Sequence, residues 1–275
     1  MISGWFGIRP SLKGFCNFFF QCVYFYGVIF VAAVYAGKAE LNAHNILTVF
    51  SLTEETGWFI KSYMALYILA PIVNAFIEKA SKRQIEVFLL GFYIFQTIYA
   101  YSGDTTFISR GYSPISFIGL YILAAYLRRY QSSLKSYGGR IYIGCSILLT
   151  FIYIISKYVG SPLDVFMYAN PIVVASSAGL VLWASDLKMK TNKTINFISK
   201  SAFGVYLFHL CPIATPYFTY SRLIYNTYSG IEYLGLIFLF MLAIFAFSVL
   251  LDQPRKWLWS AISILFNRPK KTTLA

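Results

Sequence analysis

Charged side chains are scarce in this sequence. Asp, Glu, Lys and Arg together make up 12% of its 275 residues, where a water-facing domain of this size carries about a quarter. A chain so poor in charge cannot cover a soluble fold, so hydrocarbon must solvate much of it. Histidine is scarcer still, with two residues, and the four cysteines (Cys16, Cys22, Cys145, Cys211) lie inside apolar runs without a CxxC pair. Neither a disulfide framework nor a metal site is therefore expected. There is no nucleotide-binding loop, GxSxG elbow or HExxH helix. Internal repeats, low-complexity tracts and Gly/Ser linkers are missing, as is the ten-residue alternation of β-barrel strands.

Apolar length takes their place: 58% of residues are apolar and 20% aromatic, with a mean hydropathy of +0.63. A bilayer core needs about 20 apolar residues per helix. Runs of that kind recur at roughly 15–37, 58–79, 86–101, 113–131, 141–160, 169–185, 199–221 and 231–252. The expected fold is all-α: a polytopic transmembrane helix bundle of about eight spans, one membrane domain over 1–275. Prolines inside these runs do not exclude helix, because neighbouring helices re-satisfy the carbonyls they strand.

The net charge of +13 would suggest nucleic acid if it were spread over a surface. Instead it maps to alternate connections, so no nucleic-acid partner is expected. Arg9 and Lys13; Lys79, Lys82 and Arg83; Arg128, Arg129, Lys135 and Arg140; Lys188, Lys190, Lys193 and Lys200; and Arg255, Lys256, Arg268, Lys270 and Lys271 account for 18 of the 23 basic residues. Positive-inside bias then places both termini in the cytoplasm. The other connections hold Glu40, Glu54, Glu55, Asp104, Asp164 and Glu232, and the longest, about residues 38–57, is expected outside. Residues 254–267, with Trp257, Trp259, Ile262, Leu265 and Phe266, read as an interfacial amphipathic helix on the inner leaflet. Arg9 and Lys13 ahead of an apolar stretch mimic a signal peptide, but the stretch is too long for one and further spans follow.

Polar groups at membrane depth are costly, so each is a functional candidate. His209 lies ten residues past Ser199, about 15 Å into its span, with Tyr206 one turn earlier on the same face. An imidazole there can exchange a proton near neutral pH, or fix helix packing as a neutral ring. Trp58 opens the second span and Lys61 lies one turn inside it; Tyr63, Tyr67 and Asn74 follow. Trp58 also fits an interfacial aromatic belt, Lys61 can snorkel outward, and Asn74 can bond across helices. Asp252 is expected to pair with Arg255 or Lys256, and Asn170 to turn the chain ahead of Pro171.

The segment Ser199–Lys200–Ser201–Ala202–Phe203–Gly204–Val205–Tyr206–Leu207–Phe208–His209 resembles the S-x-x-S-F-G-x-Y-L-x-H stretch of membrane-bound acyltransferase family 3. The run from Trp58–Phe59 through Tyr63, Tyr67 and Pro71 to Asn74 is similar to that family's aromatic second motif. Ile2–Ser3–Gly4–Trp5–Phe6 is similar to its ISGYF. The resemblance implies a membrane acyltransferase that O-acetylates sugars of cell-surface polysaccharides in a bacterial plasma membrane. Acetyl-CoA would be the acyl donor and a glycan the acceptor, with no cofactor bound. In that chemistry His209 with Tyr206 would help to stabilise the oxyanion, or support the histidine of the family's first helix, rather than act as the sole base. Trp58, Lys61, Tyr63, Tyr67 and Asn74 are the candidate substrate-binding residues. Met1 falls within what resembles the family's second helix. The first helix, with its Arg, Asp and His, has no counterpart in this sequence. An alternative of another class is a non-catalytic remnant, or a transporter or partner of glycan export.

Overall fold

The computed structural model describes residues 1–51, 57–103, 106–160, 164–211 and 216–266. Twelve α-helices occur among them, and no strand. In order they are α1 (Ile2–Phe6), α2 (Leu12–Tyr35), α3 (Ala43–Ser51), α4 (Trp58–Lys79), α5 (Lys82–Tyr101), α6 (Pro114–Tyr130), α7 (Gly138–Tyr158), α8 (Pro171–Asp186), α9 (Lys193–Ser199), α10 (Ala202–His209), α11 (Pro216–Thr227) and α12 (Gly230–Ser263). Four are long and apolar enough to cross a membrane: Leu12–Tyr35, Trp58–Lys79, Ser132–Tyr158 counted with its leading 3-10 turn, and Gly230–Ser263. Pro171–Asp186 is a shorter apolar helix. Glu54, Glu55, Asp104, Pro212, Arg268, Lys270 and Lys271 lie outside the described residues.

The helix starts follow from the sequence. Ser11 accepts from the Gly14 N–H, and Ser81 forms a capping box with Gln84. Ser113 caps α6 and Asn170 caps α8, each followed by a proline as first helical residue. A proline there surrenders an N–H that would have no partner anyway, while each cap contributes about 1 kcal/mol. Asn170 thus makes the turn expected ahead of Pro171. Asn42 accepts from the Asn45 N–H at 2.9 Å and starts α3, a helix in the connection expected to be a long loop.

The largest departure from expectation is the run 199–221. In place of one span it holds the end of α9, all of α10 and the start of α11. Ser201 leaves helical geometry (φ −102°, ψ 1°). At the far end, Cys211 precedes a proline, whose ring disfavours helical backbone in the residue before it. Pro254, by contrast, stays inside α12, which continues to Ser263 before a 3-10 turn at Ile264–Phe266. The segment read as an interfacial helix therefore starts as the last turns of a 34-residue helix.

The chain divides into two compact units: Met1–Pro10 with Lys61–Met189, and Ser11–Ile60 with Lys190–Ala275. Unit one buries Trp5, Leu66, Ala70, Ile85, Leu89, Tyr121, Ile122 and Leu127 in one core. Its helix α1 lies against the backbone of α6 at Gly4. A Cβ there would sit 2.3 Å from the Tyr121 carbonyl oxygen, so the glycine of the Ile2–Phe6 motif permits a contact that no side chain would allow. Unit two packs α2, α10 and α12 together, burying Cys22, Phe25, Leu207 and Val249. Phe18 stacks on Phe203 at 5.2 Å and Phe208 meets Phe247 at 5.3 Å. The opposite faces of α12 leave Phe238, Leu239, Leu242 and Leu250 exposed, a surface suited to lipid rather than water.

Candidate functional site

The candidate residues fall into both units. Trp58, Tyr206 and His209 belong to unit two, and Lys61, Tyr63, Tyr67 and Asn74 to unit one.

In unit two, His209 is the last residue of α10. Its ring nitrogen Nδ1 lies 2.8 Å from the Val205 carbonyl oxygen. A carbonyl only accepts, so Nδ1 is the donor of this hydrogen bond. Tyr206 meets this imidazole edge-on at 5.9 Å. The Tyr206 ring also contacts Phe59 at 4.7 Å and stacks on Phe203 at 5.9 Å. Phe59 in turn meets Trp58 at 5.8 Å. The Trp58–Phe59 pair and the Tyr206–His209 pair, far apart in sequence, are thereby joined by aromatic contact. Gly204 completes the fit: a Cβ there would come within 2.7 Å of the Phe25 ring.

One polar cluster of unit two reaches the residue ahead of α10. Asp252 is fully buried and accepts from Arg255 Nε at 2.6 Å and Lys256 Nζ at 3.2 Å. Both pairings expected for this aspartate are present together. Gln21 reaches the same carboxylate at 3.5 Å, and Arg255 donates to Asn17 Oδ1 at 3.3 Å. Lys256 also donates to Ser201 Oγ at 2.7 Å. Ser201 is buried and immediately precedes α10. Sequence reasoning missed Asn17, Gln21 and Ser201 as members. Their signal was the spacing of Asn17 and Gln21, two amides four residues apart inside an apolar run.

In unit one, Asn74 closes a hydrogen-bonded ring. Its Oδ1 accepts from the Tyr121 hydroxyl at 2.7 Å, and its Nδ2 donates to the Ile8 carbonyl at 2.9 Å. The Ile8 N–H donates to the same Tyr121 oxygen at 2.8 Å. Three chain segments thus meet at one amide, which fixes its orientation. Tyr63 accepts from Ser3 Oγ at 3.4 Å. Tyr67 packs half-buried on the core, while Lys61 is exposed.

Beside the Asn74 ring lies a cleft of about 340 Å³ whose walls include Trp5, Phe6, Asn74, Glu78, Tyr121, Arg128 and Arg129. Arg128 donates to the Trp5 carbonyl and holds its guanidinium 5.9 Å from the Phe6 ring. Arg129 donates to the Ile77 carbonyl at 2.9 Å. Lys135 stands over the Trp5 ring at 5.6 Å. The cleft brings Arg128 and Arg129 together with one carboxylate, Glu78, beside aromatic side chains. Sequence reasoning counted both arginines as topology signals and did not see the cleft. Among the described residues, no group of three or more His, Cys, Asp or Glu side chains could hold a metal ion.

Residues 1–266 match the family model described as "Acyltransferase domain", that of acyltransferase family 3. The match runs through both units and takes in all three motif segments. No curated protein and no solved structure matches the chain. A helical chain with four helices fit to cross a bilayer, matched from Met1 to Phe266, belongs to acyltransferase family 3.

Proposed function

We propose that this membrane acyltransferase moves an acetyl group from cytoplasmic acetyl-CoA to a hydroxyl of a cell-surface or lipid-linked polysaccharide, in a bacterial plasma membrane with both chain termini inside. The observation that carries the reading is the contact of His209 Nδ1 with the Val205 carbonyl oxygen at 2.8 Å, in which the ring nitrogen is the donor.

Attack of a sugar hydroxyl on a thioester needs a base for the hydroxyl proton and a donor for the developing oxyanion. A neutral imidazole with its proton on Nδ1 is suited to the first role, through Nε2. In this reading the sugar oxygen bonds to the acetyl carbon as Nε2 takes its proton. The tetrahedral oxyanion then collapses, the carbon–sulfur bond breaks, and the departing thiolate recovers the proton to leave as CoA. Tyr206 holds the imidazole by its edge and assists the oxyanion.

The unit-one cleft supports the donor half of the proposal. A CoA diphosphate needs cations that bind oxygen pairs, which arginine forks supply, and Arg128 and Arg129 stand at its wall. The exposed Phe6 ring offers a face for the adenine. Both arginines belong to the alternate connections rich in positive charge, which positive-inside bias assigns to the cytoplasm. The test is direct: the purified chain in lipid nanodiscs is given acetyl-labelled acetyl-CoA and an oligosaccharide mixture. Alkali-labile label on the sugar, lost in His209→Ala, is expected. Equal labelling by wild type and variant would remove His209 from the chemistry.

A further inference from the structure

At the end of unit one where α5 finishes and α6 and α8 begin, the backbone does something uncommon. Ser109 and Arg110, neither of them glycine, both take positive φ, at 44° and 56°. Such a conformation persists only where the surroundings over-determine it, and it concentrates at functional sites. Here the Ala169 N–H donates to the Arg110 carbonyl at 3.1 Å. The next residue, Gly111 (φ 95°), lies so close to the 168–169 backbone that a Cβ would be 2.4 Å from the Ala169 nitrogen.

The outcome is the placement of one side chain. Arg110 donates to Asp164 Oδ2 at 3.1 Å, with 60% and 45% of the two side chains exposed. An ion pair so open to solvent contributes little to stability; the packing against residues 168–169 holds the strained turn, and the pair is what that turn presents. Aromatic residues lie near the pair. Tyr112 and Tyr168 meet edge to face at 5.0 Å, Tyr101 lies within electrostatic reach of Asp164, and Phe166 stands two residues beyond it. Tyr101, Phe166 and Tyr168 each leave about half their surface exposed (49%, 51% and 45%). An interfacial belt explains aromatic rings at such a level. It does not explain a carboxylate and a guanidinium set among them.

Resting on the reading of the chain as a sugar O-acetyltransferase, we infer that Arg110, Asp164, Tyr112, Tyr168, Phe166 and Tyr101 form a docking platform for a sugar ring of the acceptor. A pyranose has an apolar C–H face that lies on an aromatic ring and a rim of hydroxyls that both donate and accept. The platform matches each part: aromatic faces for the first, the Asp164 carboxylate to accept, and Arg110 to donate. Burial first, then the neighbouring Tyr168 and Asp164, hold the Tyr112 phenol above its ordinary pKa against the opposing Arg110. The phenol therefore remains a hydroxyl donor at neutral pH. α6 runs from this platform toward the Arg128–Arg129 cleft. Its 17 residues span about 25 Å, so acceptor and donor would bind at opposite ends of the same helix.

Saturation-transfer NMR on the full chain in nanodiscs, with cellohexaose, maltohexaose and chitohexaose as probes and no acetyl-CoA, tests the platform apart from the chemistry. Transfer to the C–H protons of at least one probe is expected, reduced about tenfold in Asp164→Asn, which loses a charge-assisted hydrogen bond. It should also fall in Tyr168→Ala and survive in Tyr168→Phe, which keeps the ring. Tyr158→Ala, at a 94% exposed position outside the platform, should leave it unchanged. Absence of transfer from all three probes, or equal transfer in wild type, Asp164→Asn and Tyr168→Ala, would overturn the inference. Sugar binding without acetyl transfer would leave the platform standing and defeat the enzymatic reading alone.

Discussion

The Tyr121 hydroxyl donates to Asn74 Oδ1 at 2.7 Å while accepting the Ile8 N–H at 2.8 Å. One phenol thus ties the chain just after α1 to both α4 and α6. Asn74→Ala removes the amide that serves both the Tyr121 hydroxyl and the Ile8 carbonyl. Stranding such groups costs about 1–3 kcal/mol each. The variant should melt at a lower temperature in detergent, and hydrogen exchange should rise first at residues 2–10. An unchanged melting point would show that the ring does not hold α1 in place.

Asp252 is fully buried between Arg255 and Lys256. Asp252→Ala leaves two cations without their shared carboxylate, a loss of about 3–5 kcal/mol for a broken buried pair. Asp252→Leu combined with Arg255→Met removes charge from both sides and should recover part of that stability. Thermal unfolding of the three proteins checks the order. A double variant less stable than Asp252→Ala would contradict the electrostatic explanation. The same cluster holds Ser201 ahead of α10, so Asp252→Ala should also depress acetyl transfer beyond its effect on folded yield.

Arg128 and Arg129 line the unit-one cleft. If they hold the donor's diphosphate, Arg128→Gln with Arg129→Gln should raise KM for acetyl-CoA about tenfold while leaving kcat nearly unchanged, the pattern of lost uniform binding. Initial rates against acetyl-CoA concentration separate the two constants. A fall in kcat at constant KM would move the donor elsewhere.

Orientation is testable without activity. Reporter fusions after Lys135 and Lys193 should read cytoplasmic, and a fusion after Glu55 external, as the distribution of Lys and Arg requires. The reverse pattern would place the arginine cleft outside the cell and remove its access to CoA.

Much of the helical plan is legible in the sequence because lipid enforces it. The run 58–79 coincides with α4, and 231–252 lies within α12. The pairing of Asp252 with its two cations follows from helical spacing alone. The break of 199–221 was not legible from hydropathy, since Ser201 and Cys211 sit in an apolar stretch. At its start Ser201 accepts a hydrogen bond from Lys256, 55 residues away, and at its end a proline restricts Cys211; neither is visible as a change in hydropathy. The candidate site divides in the same way. His209 and Asn74 stand out as polar groups in apolar runs. Tyr121 and the strained Ser109–Arg110 turn do not, because one more tyrosine among 23 carries no signal, and backbone strain comes from long-range packing against residues 168–169.

The most direct measurement uses sealed vesicles in which the Lys135 side faces inward. Acetyl-labelled acetyl-CoA is enclosed, and an oligosaccharide is offered only outside. Transfer across a bilayer bundle predicts labelled ester on the external sugar, absent with His209→Ala and absent when the label is supplied outside. Label appearing only when donor and sugar share one side would contradict it.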